Sequence, residues 1–183
     1  SCYFLIKLKI VIIVTGSNGF IGSNLIRGLN KKGYKDIIAV DDHSREDLKE
    51  NIVHCNIREF IDIDDFLVMV QKEEIDKKNI SAIFHQGACS DTMEWDSEYL
   101  FKNNLLYSKE LLNLALRSKC PLIYASSASV YGGGEIFVES SENESPINLY
   151  AYSKFKFDQL VRKELNRSNT QIVGLRYFNV YGP

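Results

Sequence analysis

The chain has 183 residues, of which 45% are hydrophobic, and it carries 22 basic and 24 acidic side chains. This length can bury one sizeable core, and the near balance of charge makes nucleic acids and membrane surfaces poor candidates as partners. Four cysteines occur without a CxxC pair or nearby histidines, which indicates neither a metal site nor a disulfide framework and favours a cytoplasmic protein.

Strand and helix patterns alternate along the chain, which predicts an α/β fold: a Rossmann-like, doubly wound parallel sheet with helices on both faces. Residues 10–183 are expected to form this dinucleotide-binding domain, cut off before a C-terminal substrate lobe, and residues 1–9 an N-terminal extension. The predicted strands are residues 10–14, 37–40, 52–57, 82–85, 122–126 and 171–177. The predicted helices are residues 21–32, 62–74, 98–118 and 150–166.

Three glycines follow the first predicted strand and open the first helix: Gly16, Gly19 and Gly22. Such a turn lets backbone N–H groups and the start of a helix approach a pyrophosphate. The spacing is GxxGxxG, which departs from the generic GxGxxG pattern, and an ordinary packing turn is the alternative.

An acidic residue about twenty positions beyond such glycines typically meets the adenosine ribose, and Asp41 lies at the end of the second strand. Asp42 follows it, while Arg45 could instead pair with a 2′-phosphate. On charge grounds both NAD and NADP stay open, and a solvated loop is the alternative for Asp42 and Arg45.

Tyr150 and Lys154 lie four residues apart, about one helical turn, so that both side chains project from one helix face. A fixed positive charge there favours the phenolate, which makes Tyr150 a candidate base. Ser127, at the carboxyl end of the fifth strand, is a candidate to orient a substrate oxygen. Tyr152 lacks the one-turn spacing to Lys154. A surface aromatic beside a solvated lysine is the alternative for this pair.

Three stretches of the chain resemble the extended short-chain dehydrogenase/reductases that act on nucleotide sugars. They are Thr15 to Gly22, Tyr150-x-x-x-Lys154 and Arg176 to Pro183. The segments 84–90, 92–96 and 124–133 resemble more narrowly the branch that epimerises ADP-D-glycero-D-manno-heptose at C6 to the L-glycero form, a step of lipopolysaccharide core synthesis. The resemblance implies a transient ketone, tightly bound NADP, an ADP-heptose substrate and a homo-oligomeric full-length enzyme.

The resemblance also implies further site residues. The cofactor would contact Phe20, Ile21, Asp41, Asp42, Gln86, Gly87, Ala88, Cys89, Ser90, Asn103, Lys154 and Val180, and the sugar nucleotide would contact Asn179 and Ser127. Leu48 and Ile63 stand where the family carries lysines that reach the cofactor, so NAD stays possible beside NADP.

The family places a second acid/base lysine and most sugar contacts beyond Pro183, so we expect the 183-residue chain to bind dinucleotide weakly and not to turn over. Two alternative functions stay open. One is another nucleotide-sugar epimerase, of the UDP-glucose 4-epimerase type. The other is a dinucleotide-binding module without chemistry.

Overall fold

The structure, a computed structural model, describes residues 11–89, 91 and 93–182. Six strands form one sheet in the order β3-β2-β1-β4-β5-β6, and every neighbouring pair is parallel. The strands are β1 Val11–Thr15, β2 Ile37–Asp41, β3 Glu59–Asp62, β4 Ile80–His85, β5 Leu122–Ser127 and β6 Ile172–Tyr177. This order confirms the predicted Rossmann-like α/β architecture.

The helices are α1 Phe20–Lys31, α2 Glu46–Lys49, α3 Ile63–Gln71, α4 Ser97–Leu100, α5 Tyr107–Ser118 and α6 Leu149–Leu165. Within the part of the chain that the structure describes, no helix is both long and apolar enough to cross a membrane.

The central strand β1 is buried on both faces, as its continuous apolar run predicts. Val11 and Ile13 belong to a core that also includes residues of α3, α5 and α6. Ile12 and Val14 point to the other face, where they share a second core with Ile26 of α1. The sheet therefore separates two cores, with helices covering both faces.

Residues with a positive φ follow helices α1 and α5. Gly33 has a φ of 89°, and its N–H donates to the carbonyl of Asn30 after α1, as is usual for a glycine at the end of a helix. Lys119 adopts the left-handed conformation after α5, two residues before Pro121. Both ends fall within a residue or two of the predicted bounds.

The predicted long helix over residues 98–118 contains an interruption that its apolar pattern did not indicate. A π-helical segment, Phe101–Leu106, joins α4 to α5. The Asp96 carboxylate accepts from the N–H of Tyr99 and caps the start of α4. Because a π segment holds one extra residue per turn, it changes the direction of the side chains that follow.

The predicted third strand over residues 52–57 is wrong. Residues Glu50–Ile52 form a 3₁₀ turn, and the strand that pairs with β2 is Glu59–Asp62. Asn30 of α1 holds the intervening loop, because its side chain donates to the carbonyl of Asn56 and accepts from the same residue's N–H. Ile52 is buried against α1 and not in the sheet.

Candidate functional site

The glycine turn after β1 is packed too tightly for side chains at two of its three glycines. Gly16 has a φ of 68°, and a Cβ on it would lie 2.4 Å from the backbone nitrogen of Gly87. A Cβ on Gly22 would lie 2.0 Å from the carbonyl oxygen of Gly16. Gly19 is the N-cap of α1, and its Cβ position meets nothing closer than 3.4 Å. The start of α1 is therefore open to a ligand beside Gly19.

Asp41, at the end of β2, lies against this turn. One of its carboxylate oxygens accepts from the backbone N–H of Asn18 at 2.7 Å, and the other accepts from the N–H of Asp42. Hydrogen bonds from Ser44 lower the pKa of Asp42, which keeps that carboxyl group ionised at neutral pH. Of the two acids predicted for the adenosine end, Asp41 thus contacts the glycine turn and Asp42 follows it in the chain.

The loop after β4 crosses directly in front of the glycine turn. The N–H of Gln86 donates to the carbonyl of Thr15, and Gly87 packs against the backbone of Gly16. Ala88 and Cys89 follow and are partly exposed, whereas Ser90 lies outside the described residues. The predicted cofactor residues of β1 and β4 therefore meet where the strand order reverses, which is the position at which such sheets bind ligands.

Two buried polar atoms in this region lack a hydrogen-bond partner among the residues that the structure describes: Asn18 Nδ2 and Gln86 Oε1. Unpaired buried polar atoms are costly and usually find a ligand or water. A cradle of glycine backbone with an unpaired donor and an unpaired acceptor beside it fits a polar dinucleotide.

Ser127, Tyr150 and Lys154 come together at the carboxyl end of β5, as predicted. Ser127 is 9% exposed, its Oγ accepts from the N–H and the hydroxyl of Ser129, and it lies close enough to Tyr150 to lower the pKa of the phenol. Lys154 is 4% exposed, and its Nζ donates to the carbonyl of Ala125 at 2.9 Å. The helix start that presents Tyr150 is fixed by Asn148, whose side chain accepts from the N–H of Ala151.

The electrostatics of this group differ from the simple expectation of a lysine that favours a phenolate. Burial raises the pKa of Tyr150 above its ordinary value and outweighs the hydrogen bond with Ser127, which lowers it. Burial also lowers the pKa of Lys154 to about 8. Since its ammonium is directed at the carbonyl of Ala125, Lys154 does not offset the desolvation of the phenol.

Asn103 and Asn104 are neighbours in the π segment, and the structure gives them different surroundings. Asn103, which the resemblance implies as a cofactor contact, is partly exposed and donates to the carbonyl of Tyr99. Asn104 is fully buried, accepts from the N–H of Cys89 at 2.8 Å and donates to its carbonyl at 3.0 Å. It also donates to Ser153 of α6. The sequence did not predict a role for Asn104, because its side chain points into the protein only as a result of the π segment.

Asn179 and Val180 follow β6 and are exposed. The same stretch of chain returns towards the glycine turn, since the Cβ position of Gly182 lies 3.1 Å from the ring of Phe20. Phe20 itself is 43% exposed, and Ile21 is partly buried. The implied binding residues after β1 and those after β6 thus lie at the same end of the sheet, where the strands have their carboxyl ends.

A second missed residue is Asp158, one turn beyond Lys154 on α6. Its carboxylate is 5% exposed and accepts from Tyr124 Oη and Ser126 Oγ, each at 2.8 Å. Arg176 of β6 lies 3.4 Å from it and also pairs with Glu144. The four-residue spacing from Lys154 could have indicated this residue.

Comparison with known proteins agrees with this geometry. The model of the family described as "NAD dependent epimerase/dehydratase family" matches residues 12–183. The chain belongs to this family. The predicted resemblance to sugar-nucleotide enzymes is therefore confirmed at the level of the family.

Comparison with individual relatives describes the similarity in more detail. An ADP-L-glycero-D-manno-heptose-6-epimerase of Cupriavidus pinatubonensis is 53% identical over 172 residues, which make up 94% of this chain and 51% of the relative. The crystal structure of the Helicobacter pylori enzyme of the same name has a TM-score of 0.80 and 35% identity, covering 100% of this chain and 60% of that one.

A UDP-glucose 4-epimerase of Thermotoga maritima, solved with UDP-glucose, has a TM-score of 0.79 and 26% identity, with coverage of 95% and 57%. The chain thus spans about half the length of the curated relative that it matches. The two heptose epimerases share more of its sequence than this 4-epimerase does.

Proposed function

We propose that the protein inverts C6 of ADP-D-glycero-D-manno-heptose to give ADP-L-glycero-D-manno-heptose, for lipopolysaccharide core synthesis. The observation that carries this proposal is the meeting of Tyr150, Lys154 and Ser127 at the end of β5, in a chain 53% identical to an enzyme of that name. The substrate and the pathway come from the relatives' names. The meeting of a phenol, a lysine and a serine at the carboxyl end of β5 supports the proposal.

In this proposal Tyr150 takes the proton of the C6 hydroxyl and Ser127 holds the same oxygen. Lys154 would favour the phenolate only once its ammonium leaves the carbonyl of Ala125 for the bound cofactor, the contact that the family resemblance implies. A bound nicotinamide ring would accept the hydride of C6 and return it to the opposite face of the resulting ketone. Asn179 is proposed as a contact of the sugar nucleotide.

The cofactor is proposed to be NADP, with NAD possible. Gly16, Gly19 and Gly22 would receive the pyrophosphate at the start of α1, where free N–H groups and the helix dipole favour negative charge. The remaining proposed contacts are Phe20, Ile21, Asp41, Asp42, Gln86, Gly87, Ala88, Cys89, Ser90, Asn103, Lys154 and Val180. A homo-oligomeric full-length enzyme in the cytoplasm belongs to the same proposal.

Replacement of Tyr150 by Phe tests the chemistry. We expect Tyr150→Phe to lower kcat by about 100-fold or more while dinucleotide affinity stays within about threefold, because the hydroxyl acts on the reacting proton. Tyr152→Phe is the matched control, since Tyr152 lies two residues on in the same helix and is 38% exposed. Full turnover by Tyr150→Phe would contradict the proposal, because another group would then take the proton. Dinucleotide binding without turnover by the wild-type product of the whole gene would favour a module that only binds dinucleotide.

The substrate is tested by offering ADP-D-glycero-D-manno-heptose and UDP-glucose to the product of the whole gene and to the 183-residue chain. NMR of the sugar distinguishes inversion at C6 from inversion at C4. Turnover of UDP-glucose alone would replace the proposal by a 4-epimerase, the activity named for the Thermotoga maritima neighbour.

A further inference from the structure

Two side chains of α6 hold three consecutive residues of β5. Lys154 and Asp158 are one helical turn apart and both are buried. The Nζ of Lys154 donates to the carbonyl of Ala125 at 2.9 Å. The carboxylate of Asp158 accepts from Tyr124 Oη and Ser126 Oγ on either side of it, each at 2.8 Å. The strand end just before Ser127 is therefore fixed by these two side chains.

The charges around Lys154 come from several elements. Burial lowers its pKa to about 8, and Asp158 is the larger of two influences that oppose this, the other being Cys89 from the loop after β4. His85 of β4 is fully buried, and burial together with the Lys154 charge lowers its pKa to about 3, so that it is neutral. Tyr124 of β5 stays protonated, because burial and Asp158 raise its pKa.

The charge of Asp158 is itself maintained by β6. Arg176 lies 3.4 Å from the carboxylate, is 10% exposed at its side chain and stacks over the ring of Tyr131. Glu144 shares this guanidinium and is also paired with Arg162. This buried carboxylate is thus paired with one cation and accepts from two hydroxyl groups. It lies one turn from Lys154, on the same face of α6.

We propose that Asp158 is a positioning residue of the catalytic group, which keeps the Lys154 ammonium charged and fixes the end of β5 that carries Ser127. Its role in turnover rests on the proposed function, whereas its effect on Lys154 does not. Asp158 touches neither the reacting hydroxyl nor the nicotinamide in this proposal, since its carboxylate is occupied by β5 and β6. It acts through Lys154.

The first test measures Lys154 directly, without any substrate. The side-chain amines of the full chain are labelled with ¹⁵N-lysine, the Lys154 signal is assigned with Lys154→Arg, and its titration is followed by NMR. In Asp158→Asn we expect the Lys154 titration to move down by about one pH unit, because an opposite charge of this kind is worth about that much or more. An unchanged titration would overturn the proposal whether or not the protein is an epimerase.

The second test reads turnover. In Asp158→Asn the alkaline limb of kcat/KM should move to lower pH by the same amount, so that activity near pH 8 falls by about fivefold and recovers on acidification. Asp158→Glu keeps the charge and should keep the wild-type limb. A uniform loss of activity at every pH, without movement of the limb, would show a purely structural role and overturn the proposal.

The variant Asp158→Asn leaves Arg176 with one carboxylate fewer, which endangers folding. The double variant Asp158→Asn with Arg176→Met removes both members of that pair, and Glu144 keeps Arg162. The same downward movement of the Lys154 titration is expected there, because the carboxylate that is lost is the one that lies one turn from Lys154 on α6. Should the wild-type protein turn over neither nucleotide sugar, the proposed function fails, and the titration still decides the link between Asp158 and Lys154.

Discussion

Gly16 and Gly87 lie with their backbones in contact, closer than a side chain on Gly16 would permit. A Cβ on Gly16 would meet the nitrogen of Gly87 at 2.4 Å and its Cα at 2.6 Å. The two residues follow β1 and β4, neighbouring parallel strands. From these strands the chain continues to opposite sides of the sheet, to β2 and to β5. Their contact forms the floor of the crevice in which the proposed cofactor would lie.

Gly16→Ala should therefore be costly. A positive φ is unfavourable for alanine, and the clash is with backbone that has little freedom to move, so we expect a loss of about 2–5 kcal/mol in the free energy of unfolding. Dinucleotide binding should fall below detection. Urea denaturation and titration with NADP⁺ check the two effects.

Gly28→Ala is the matched control, because it makes the same change in α1 at a site where the new Cβ meets nothing within 4 Å. We expect it to raise the free energy of unfolding by about 0.5–1 kcal/mol, as for other exposed helical glycines. Equal destabilisation by the two variants would show that the contact between Gly16 and Gly87 carries no special cost.

The sequence correctly predicted the helices and strands that have a regular apolar pattern. It did not predict the regions in which contacts of individual side chains determine the path of the backbone. Buried β1 and the helix after it follow directly from an apolar run and a glycine turn. The strand Glu59–Asp62 was missed because it is a charged edge strand, whereas Ile52 preceded it as a more apolar candidate. Pattern analysis places apolar residues in strands, but Ile52 packs on a helix.

The candidate site was predictable where residues share one element, as Tyr150 and Lys154 do. Asn104 was not predictable, because its inward direction depends on a π segment that leaves no mark on the apolar periodicity. The electrostatic balance at Tyr150 also escaped prediction. It depends on how deeply the phenol is buried, and a four-residue spacing contains no measure of burial.

Asn104→Ala should destabilise the protein by about 2–4 kcal/mol, because it leaves the N–H and carbonyl of Cys89 without their partner. Asn103→Ala is the matched control in the same π segment, and it should change the free energy of unfolding by no more than about 0.5 kcal/mol. Urea denaturation of both variants is sufficient. A larger loss in Asn103→Ala would reverse the assignment of the structural role between these neighbours.

His85 should make stability depend on pH. Its Nδ1 accepts from Thr15 Oγ1 at 2.7 Å, and its Nε2 donates to Ser108 Oγ at 2.7 Å, because the Ser108 hydroxyl already donates to the carbonyl of Asn104. The neutral ring is thus fully satisfied. Burial lowers its pKa to about 3 in the folded protein, against about 6.5 in the unfolded chain.

The unfolded state therefore binds an additional proton between these two values, and the stabilisation is complete above pH 6.5 and lost as the pH falls towards 3. We expect the free energy of unfolding to fall by up to about 1.4 kcal/mol per pH unit in the acid part of this window. Urea denaturation between pH 7 and pH 5 measures the slope. In His85→Gln the slope over that range should be flatter, and an identical slope would assign the effect to other groups.

Arg45 offers a way to distinguish the two dinucleotides. Its guanidinium makes a bidentate pair with Asp47, with both N···O distances at 3.1 Å, and both side chains are more than half exposed. Exposed ion pairs of this kind are weak, whereas a planar guanidinium binds a phosphate well. Since Arg45 lies shortly after β2 and Asp41, a 2′-phosphate on the ribose could replace Asp47 as its partner.

We expect Arg45→Ala to weaken NADP⁺ binding by about tenfold and to leave the Kd for NAD⁺ unchanged, because NAD⁺ carries no 2′-phosphate. Asp47→Asn should act in the opposite direction, with tighter binding of NADP⁺, since it releases the guanidinium. Calorimetric titration of the product of the whole gene with each dinucleotide measures these effects. Equal weakening of both dinucleotides in Arg45→Ala would show that Arg45 supports the loop and does not read the phosphate.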